Sequence, residues 1–214
     1  MSETKLILIR HGESLGNARR MLLGHTDLDL SELGYRQAEC TAKALQNVKI
    51  DCIYSSDLKR AYNTAIPHAR LRGLEVKGVK ALRELYLGDW EGKSVQEVID
   101  TYGDVYEKEW IGSFGTFRMP NGESTQEAGN RFYNECIKIA SMHSGSTVLV
   151  VAHAAVIRSF FAKVMGIASE EIAQKLPFPS NASYSEVYFD GEGLKIGRFS
   201  VDEHLSDVGI TKFG

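Results

Sequence analysis

Apolar residues are distributed along this chain in two periodicities. Residues 6–9 (LILI) and 147–152 (TVLVVA) are short, continuous and β-branched, too short for helices, which predicts central strands of a parallel sheet buried on both faces. Weaker strands are expected at 50–55 and 74–79. Between them the spacing turns helical. Ala38, Thr41, Ala42 and Leu45 follow Ser31, a helix cap with Gly34 just inside. Leu58, Ala61, Ala65 and Ala69 follow Ser55, Ser56 and Asp57 as turn and cap residues. Ser124 and Glu127 form a capping box ahead of Ala128, Phe132, Cys136 and Ile139, in a helix running to about His143. Val156, Phe160 and Val164 mark another helix, and residues 181–190 and 194–201 read as an antiparallel hairpin around Gly191 and Gly193. Strands alternating with helices predict an α/β fold with a mostly parallel sheet.

The pattern loosens between the third and fourth strands. A helix over 95–106 is followed by Trp110, Phe114 and Phe117 among glycines, and Trp90 reads as a packing anchor. Aromatic loops of this length inside a compact domain are usually functional, so 88–122 is expected to be a lid or insert, or else a patch for a homodimer. The polar stretch 18–30 carries Arg19, Arg20 and His25, all expected in solvent, as is His143; no role is assigned to the tail past His204.

Length and charge narrow the classes. A chain of 214 residues suits one domain spanning 1–214. With 25 Lys and Arg against 28 Asp and Glu, net −3, no global basic field draws in nucleic acid or an anionic membrane, so any anion site must be local. Cys40, Cys52 and Cys136 are odd in number and widely spaced, as expected of reduced core thiols rather than a disulfide framework or zinc cluster. The apolar run before Arg10 is too short for a signal peptide, and no stretch is long enough to span a bilayer, so a cytoplasmic location is expected.

Candidate chemistry gathers at strand ends. Arg10 and His11 end the first strand just before Gly12, and His153 ends the clearest buried strand just before Ala154 and Ala155. Ligands of open α/β sheets sit outside the carboxyl ends of strands. There a guanidinium fork and a neutral imidazole suit an anionic substrate and a nucleophile. Arg60 falls in a helix's first turn, a place unfavourable for a cation unless an anion binds nearby. Glu84, flanked by Leu82 and Leu85, is expected in an apolar setting that would raise a carboxyl group towards general-acid duty; a capping or salt-bridged role is the alternative.

Four blocks in this order, LIRHGES with Asn17, SSDLKRAYNTA, LRELYLGDWEG and VVAHAAVIR, resemble the histidine phosphatase superfamily, in its phosphoglycerate-mutase-like branch. The resemblance implies a three-layer α/β/α sandwich with a mostly parallel mixed sheet. It implies a metal-independent phosphomonoesterase, needing no cofactor, that acts on a small phosphorylated metabolite. His11 would be the nucleophile and Glu84 the proton donor. Arg10, Arg60 and His153, as two guanidiniums and an imidazolium, would hold the phosphate with Asn17 and the Ala154 backbone. A carbonyl near Gly12 would fix the His11 tautomer.

Two departures from the family pattern matter. Ala154 and Ala155 stand where many relatives carry glycines, which bears on close substrate approach. Between the acid and the second histidine the basic residues are Lys93, Lys108, Arg118, Arg131 and Lys138, none adjacent to another. The mutases carry an adjacent basic pair there, so the resemblance favours a phosphatase over the alternatives, a cofactor-dependent phosphoglycerate mutase or a non-enzymatic phospho-ligand domain.

Overall fold

Continuous burial of strands β1 (Thr4–Arg10) and β4 (Thr147–Ala152) follows from their place at the middle of a six-stranded sheet. The computed structural model describes residues 2–212. The sheet runs β3 (Val76–Gly78), β2 (Cys52–Ser55), β4, β1, β5 (Tyr184–Phe189), β6 (Leu194–Val201). Its first four strands are parallel, whereas β5 runs antiparallel to β1 and to β6. Successive side chains of a strand point to opposite faces. Leu6 and Leu8 therefore join Val148 and Val150 in one core, while Ile7 and Ile9 join Leu149 and Val151 in the other.

Helices cover both faces, completing three layers. A single helical turn, α1 (Leu15–Ala18), follows β1; α2 (Glu32–Ala44) and α3 (Lys59–Arg72) lie on the Ile7 side, and α5 (Thr125–Met142) and α6 (Ala154–Val164) on the Leu6 side. The chain leaves β1 toward one face and β4 toward the other. Between these two parallel neighbours the sheet opens a crevice at its carboxyl edge. Arg10 pairs in register with Ala152, so His11 and His153 emerge side by side.

Ser31 and Ser124 cap α2 and α5 as expected, the second with a reciprocal capping box. Elsewhere the sequence reading is corrected. The second and third strands and the first arm of the hairpin are shorter than their apolar runs suggest, because only residues 52–55, 76–78 and 184–189 of those runs pair in the sheet ladders. Helix α3 starts at Leu58 with no side-chain cap, since the Asp57 carboxylate instead takes Arg83 at 2.6 Å. The helix expected over 95–106 is α4 (Val95–Tyr102), ended by Gly103 at φ 64°, and a π-helical turn, Tyr106–Ile111, follows. Trp90, Trp110, Phe114 and Met119 are buried in the larger core. His143 is half-buried and bonds the Tyr54 hydroxyl at 2.9 Å. All three cysteines are free, but only Cys136 is fully buried.

The loop after β1 is clamped by backbone contact. A Cβ on Gly12 would lie 2.5 Å from the Gly34 carbonyl oxygen, and one on Gly34 only 1.9 Å from that of Glu13. Gly34→Ala in a helix's first turn would ordinarily stabilise slightly. Here it should cost about 1–3 kcal/mol, as overpacking does, and lower activity by displacing the His11 loop. Urea unfolding alongside a phosphatase assay measures both, and a stabilised variant would contradict the clamp.

Candidate active site

A pocket opens at the carboxyl edge of β1 and β4, lined by Arg10, His11, Asn17, Arg60, Glu84 and Ala154 on its polar side. The His11 Nδ1–H donates to the Gly12 carbonyl at 2.7 Å, which leaves Nε2 with its lone pair free. His153 packs edge-on against that ring, centroids 5.1 Å apart. Neither nitrogen of His153 has a hydrogen-bond partner among the described residues, and the ring is fully buried.

Both imidazoles are held neutral. Burial lowers the His11 pKa well below 6.5, and the charges of Arg60 and Arg10 push the same way against the bond to Gly12. His153 is lowered similarly, by burial first and then chiefly by Arg60 and His11. Burial and the neighbouring charges therefore disfavour an imidazolium at His153, and a neutral ring keeps one N–H to donate.

The two guanidiniums are 2% and 1% exposed. Arg10 donates to the Pro179 carbonyl at 2.7 Å. Arg60 donates to the carbonyls of Gly24 at 2.6 Å and Thr26 at 2.8 Å. Burial lowers both pKa values to about 10, offset in part by Glu84, so both stay charged near neutrality.

Glu84 departs from the apolar setting expected of it. Leu82 and Leu85 turn into the core, while the half-buried carboxylate accepts from the first turn of α6, from Ala155 N–H at 3.0 Å and Val156 N–H at 3.2 Å. Arg131 fixes the backbone behind it through the carbonyls of Ala81, Arg83 and Glu84, and pairs with Glu123 at 2.8 Å. His25, far from simply solvated, donates from Nε2 to the Glu84 carbonyl at 2.9 Å, whereas Arg19 and Arg20 are exposed as expected.

Two supporting residues escaped the sequence reading. The Glu91 carboxylate accepts from His25 N–H, Thr26 N–H and the Thr26 hydroxyl, so it shapes the loop whose carbonyls hold Arg60. Asn181, fully buried, donates to the His11 carbonyl at 3.1 Å and to Asn17 Oδ1 at 3.3 Å. That oxygen also accepts from Ser14, which leaves the Asn17 amide N–H₂ as the group free to donate to a ligand. The tail, given no role from sequence, holds this network: Thr211 bonds Asn181, and Gly209 and Thr211 take the Gln37 amide. The signal for Asn181 was topological, because a strand antiparallel to β1 must begin beside β1's carboxyl end.

The three layers and the strand order, with two histidines at the carboxyl edge of the central strands, define a phosphoglycerate-mutase-like α/β protein. The profile of the histidine phosphatase superfamily (branch 1) matches residues 6–202, and the chain belongs to that superfamily. It is 32% identical to Phosphoserine phosphatase 1 of Hydrogenobacter thermophilus over 204 residues, 95% of each chain. Phosphoglycerate mutase-like protein 4 of Arabidopsis thaliana is 33% identical over 217 residues, covering 98% of this chain and 90% of that one. Among solved structures, Bacillus stearothermophilus YhfR superposes with a TM-score of 0.89 at 28% identity, over 95% of this chain and 100% of that one.

Neutral burial of histidines has a pH consequence. His11, His153 and His68, the last pushed down to about 3 chiefly by burial, have folded pKa values below the unfolded 6.5. Unfolded chains therefore take up protons first as pH falls. Stability is full above pH 6.5 and declines below it, by ~2 kcal/mol for His68 at pH 5, with His11 and His153 acting in the same direction. Urea midpoints at pH 7.5 and 5 should show the loss, and His68→Gln should reduce it; equal midpoints in the native chain would contradict neutral burial.

Proposed function

We propose that this chain is a metal-independent phosphomonoesterase that hydrolyses a small phosphorylated metabolite through a phosphohistidine on His11. The observation that carries the reading is the bond from His11 Nδ1 to the Gly12 carbonyl, which presents an unprotonated Nε2 in a pocket holding two buried guanidiniums. Phosphoryl transfer asks for an in-line nucleophile and positive donors on the equatorial oxygens. Arg10, Arg60, the His153 N–H, the Asn17 amide and the Ala154 backbone serve as those donors.

In the first step Nε2 forms a bond to phosphorus, the ester P–O bond breaks, and the leaving oxygen takes a proton from the Glu84 carboxyl group. In the second, water attacks the phosphohistidine, its proton passes to the Glu84 carboxylate, the P–N bond breaks and phosphate departs. Glu84 lines the same pocket and is fixed by the first turn of α6, which supports this shuttle. The mutase reading needs a grip for a second anionic group, yet Arg118 pairs with Glu127 and Arg131 with Glu123.

His11→Ala should lose roughly 10³-fold or more in kcat, together with any acid-labile phosphoenzyme, while circular dichroism stays unchanged and a chelator leaves the native rate intact. Substantial retained turnover would remove His11 from the nucleophile role.

Glu84→Gln should slow alkyl phosphates roughly 10²–10⁴-fold, the range for a lost general acid, and spare 4-nitrophenyl phosphate, whose leaving group needs no proton. Equal losses on both esters would sink the assignment.

A further inference from the structure

Outside the phosphate-facing groups, the pocket wall consists of Met21, Leu22, Leu23, Leu85, Leu87 and Trp110. Among the described residues that line it, Arg10 and Arg60 are the only cations, and both face the phosphate subsite in the reading above. Cations nearby are already engaged. Arg83 is paired with Asp57 and Arg131 with Glu123. Arg158 lies behind the wall, its guanidinium between the rings of Phe114 and Phe178 at 4.5 and 4.2 Å and bonded to the Leu176 carbonyl at 2.7 Å. The His25 ring is turned to the Glu84 carbonyl, and Arg19 and Arg20 are exposed and do not line the pocket.

We infer that the substrate's leaving group is an uncharged, largely apolar alcohol that packs against Trp110 and the leucines, and that esters bearing a carboxylate next to the phosphate are discriminated against. This rests on the phosphatase reading and adds the substrate class. The physical reason is desolvation. An ionised carboxylate entering an apolar wall loses its water and gains no partner, whereas an apolar group gains by leaving water. The inference sets this chain apart from relatives whose names specify phosphoserine.

The test compares primary-alcohol esters, whose leaving oxygens are chemically alike: benzyl phosphate, O-phosphoserine, 3-phosphoglycerate, and the neutral N-acetyl methylamide of O-phosphoserine. Removing the charges from phosphoserine at constant leaving group should raise kcat/KM by about ten-fold or more, the penalty expected for one unpaired buried charge, and benzyl phosphate should be better still. Met21→Arg places a cation on the half-buried rim of the wall and should narrow the gap between 3-phosphoglycerate and benzyl phosphate by a similar factor. O-phosphoserine or 3-phosphoglycerate turned over as well as the neutral esters, through an acid-labile phosphoenzyme, would overturn the inference and leave the phosphatase reading standing. A Met21→Arg protein that folds and keeps the native ratio would also overturn it. No turnover of any ester, with no phosphoenzyme, would sink both.

Discussion

Two guanidinium groups, Arg10 and Arg60, each almost wholly buried and each donating to backbone carbonyls, are the constraint around which the rest of this protein is arranged. Ion pairs inside a protein survive only when their desolvation is offset. Carbonyl oxygens supply part of the offset, Pro179 for Arg10 and Gly24 and Thr26 for Arg60, and the Glu84 carboxylate acts on both. Carbonyl dipoles solvate a cation but do not cancel its charge. In a buried setting such as theirs a charge acts far more strongly than at the surface. Under the proposed function a phosphate dianion is the ligand these cations meet, and donors already aligned at developing charge need no reorganisation during reaction.

The same field governs the histidines. A nucleophilic imidazole must be unprotonated, and nearby cations together with burial disfavour the imidazolium at His11 and His153 alike. Under the proposed function, the groups that bind the substrate's charge thereby also keep the nucleophile competent. Register accomplishes the placement: β1 and β4 end level with each other, and the His11 N–H bonds the Ala152 carbonyl at 3.0 Å. Without that alignment the two rings would not meet.

Much of this was legible in the sequence. The two central strands announce themselves because burial on both faces removes the polar alternation, and strand ends mark where His11 and His153 must sit. Arg60 was betrayed by its electrostatic awkwardness in the first turn of α3. What stayed hidden depends on long-range hydrogen bonds with no periodic trace. Glu91 looks like any acidic turn residue until its carboxylate is seen gathering the 25–26 amides. Asn181 reads as a turn former, and the tail as polar excess, until both are found bracing the His11 loop. Glu84 was found by resemblance, but its flanking leucines misled about its surroundings, since side chains adjacent in sequence need not share an environment.

Under the proposed function the site divides into halves with different foundations. The phosphate half hangs on strand ends and on helices locked by the Gly12–Gly34 contact, so its geometry follows from the sheet itself. The leaving-group half is contributed by the segments around Met21 and Leu85 and by Trp110. Trp110 is seated against Phe114 and Phe178, the two rings that enclose the Arg158 guanidinium, which in turn bonds the carbonyls of Ile172, Ala173 and Leu176. A buried cation with no carboxylate partner in this bonding set thus organises the aromatic wall from behind. The shape of that wall can therefore vary with the loops that supply it, while the chemistry at its base stays fixed by the strands.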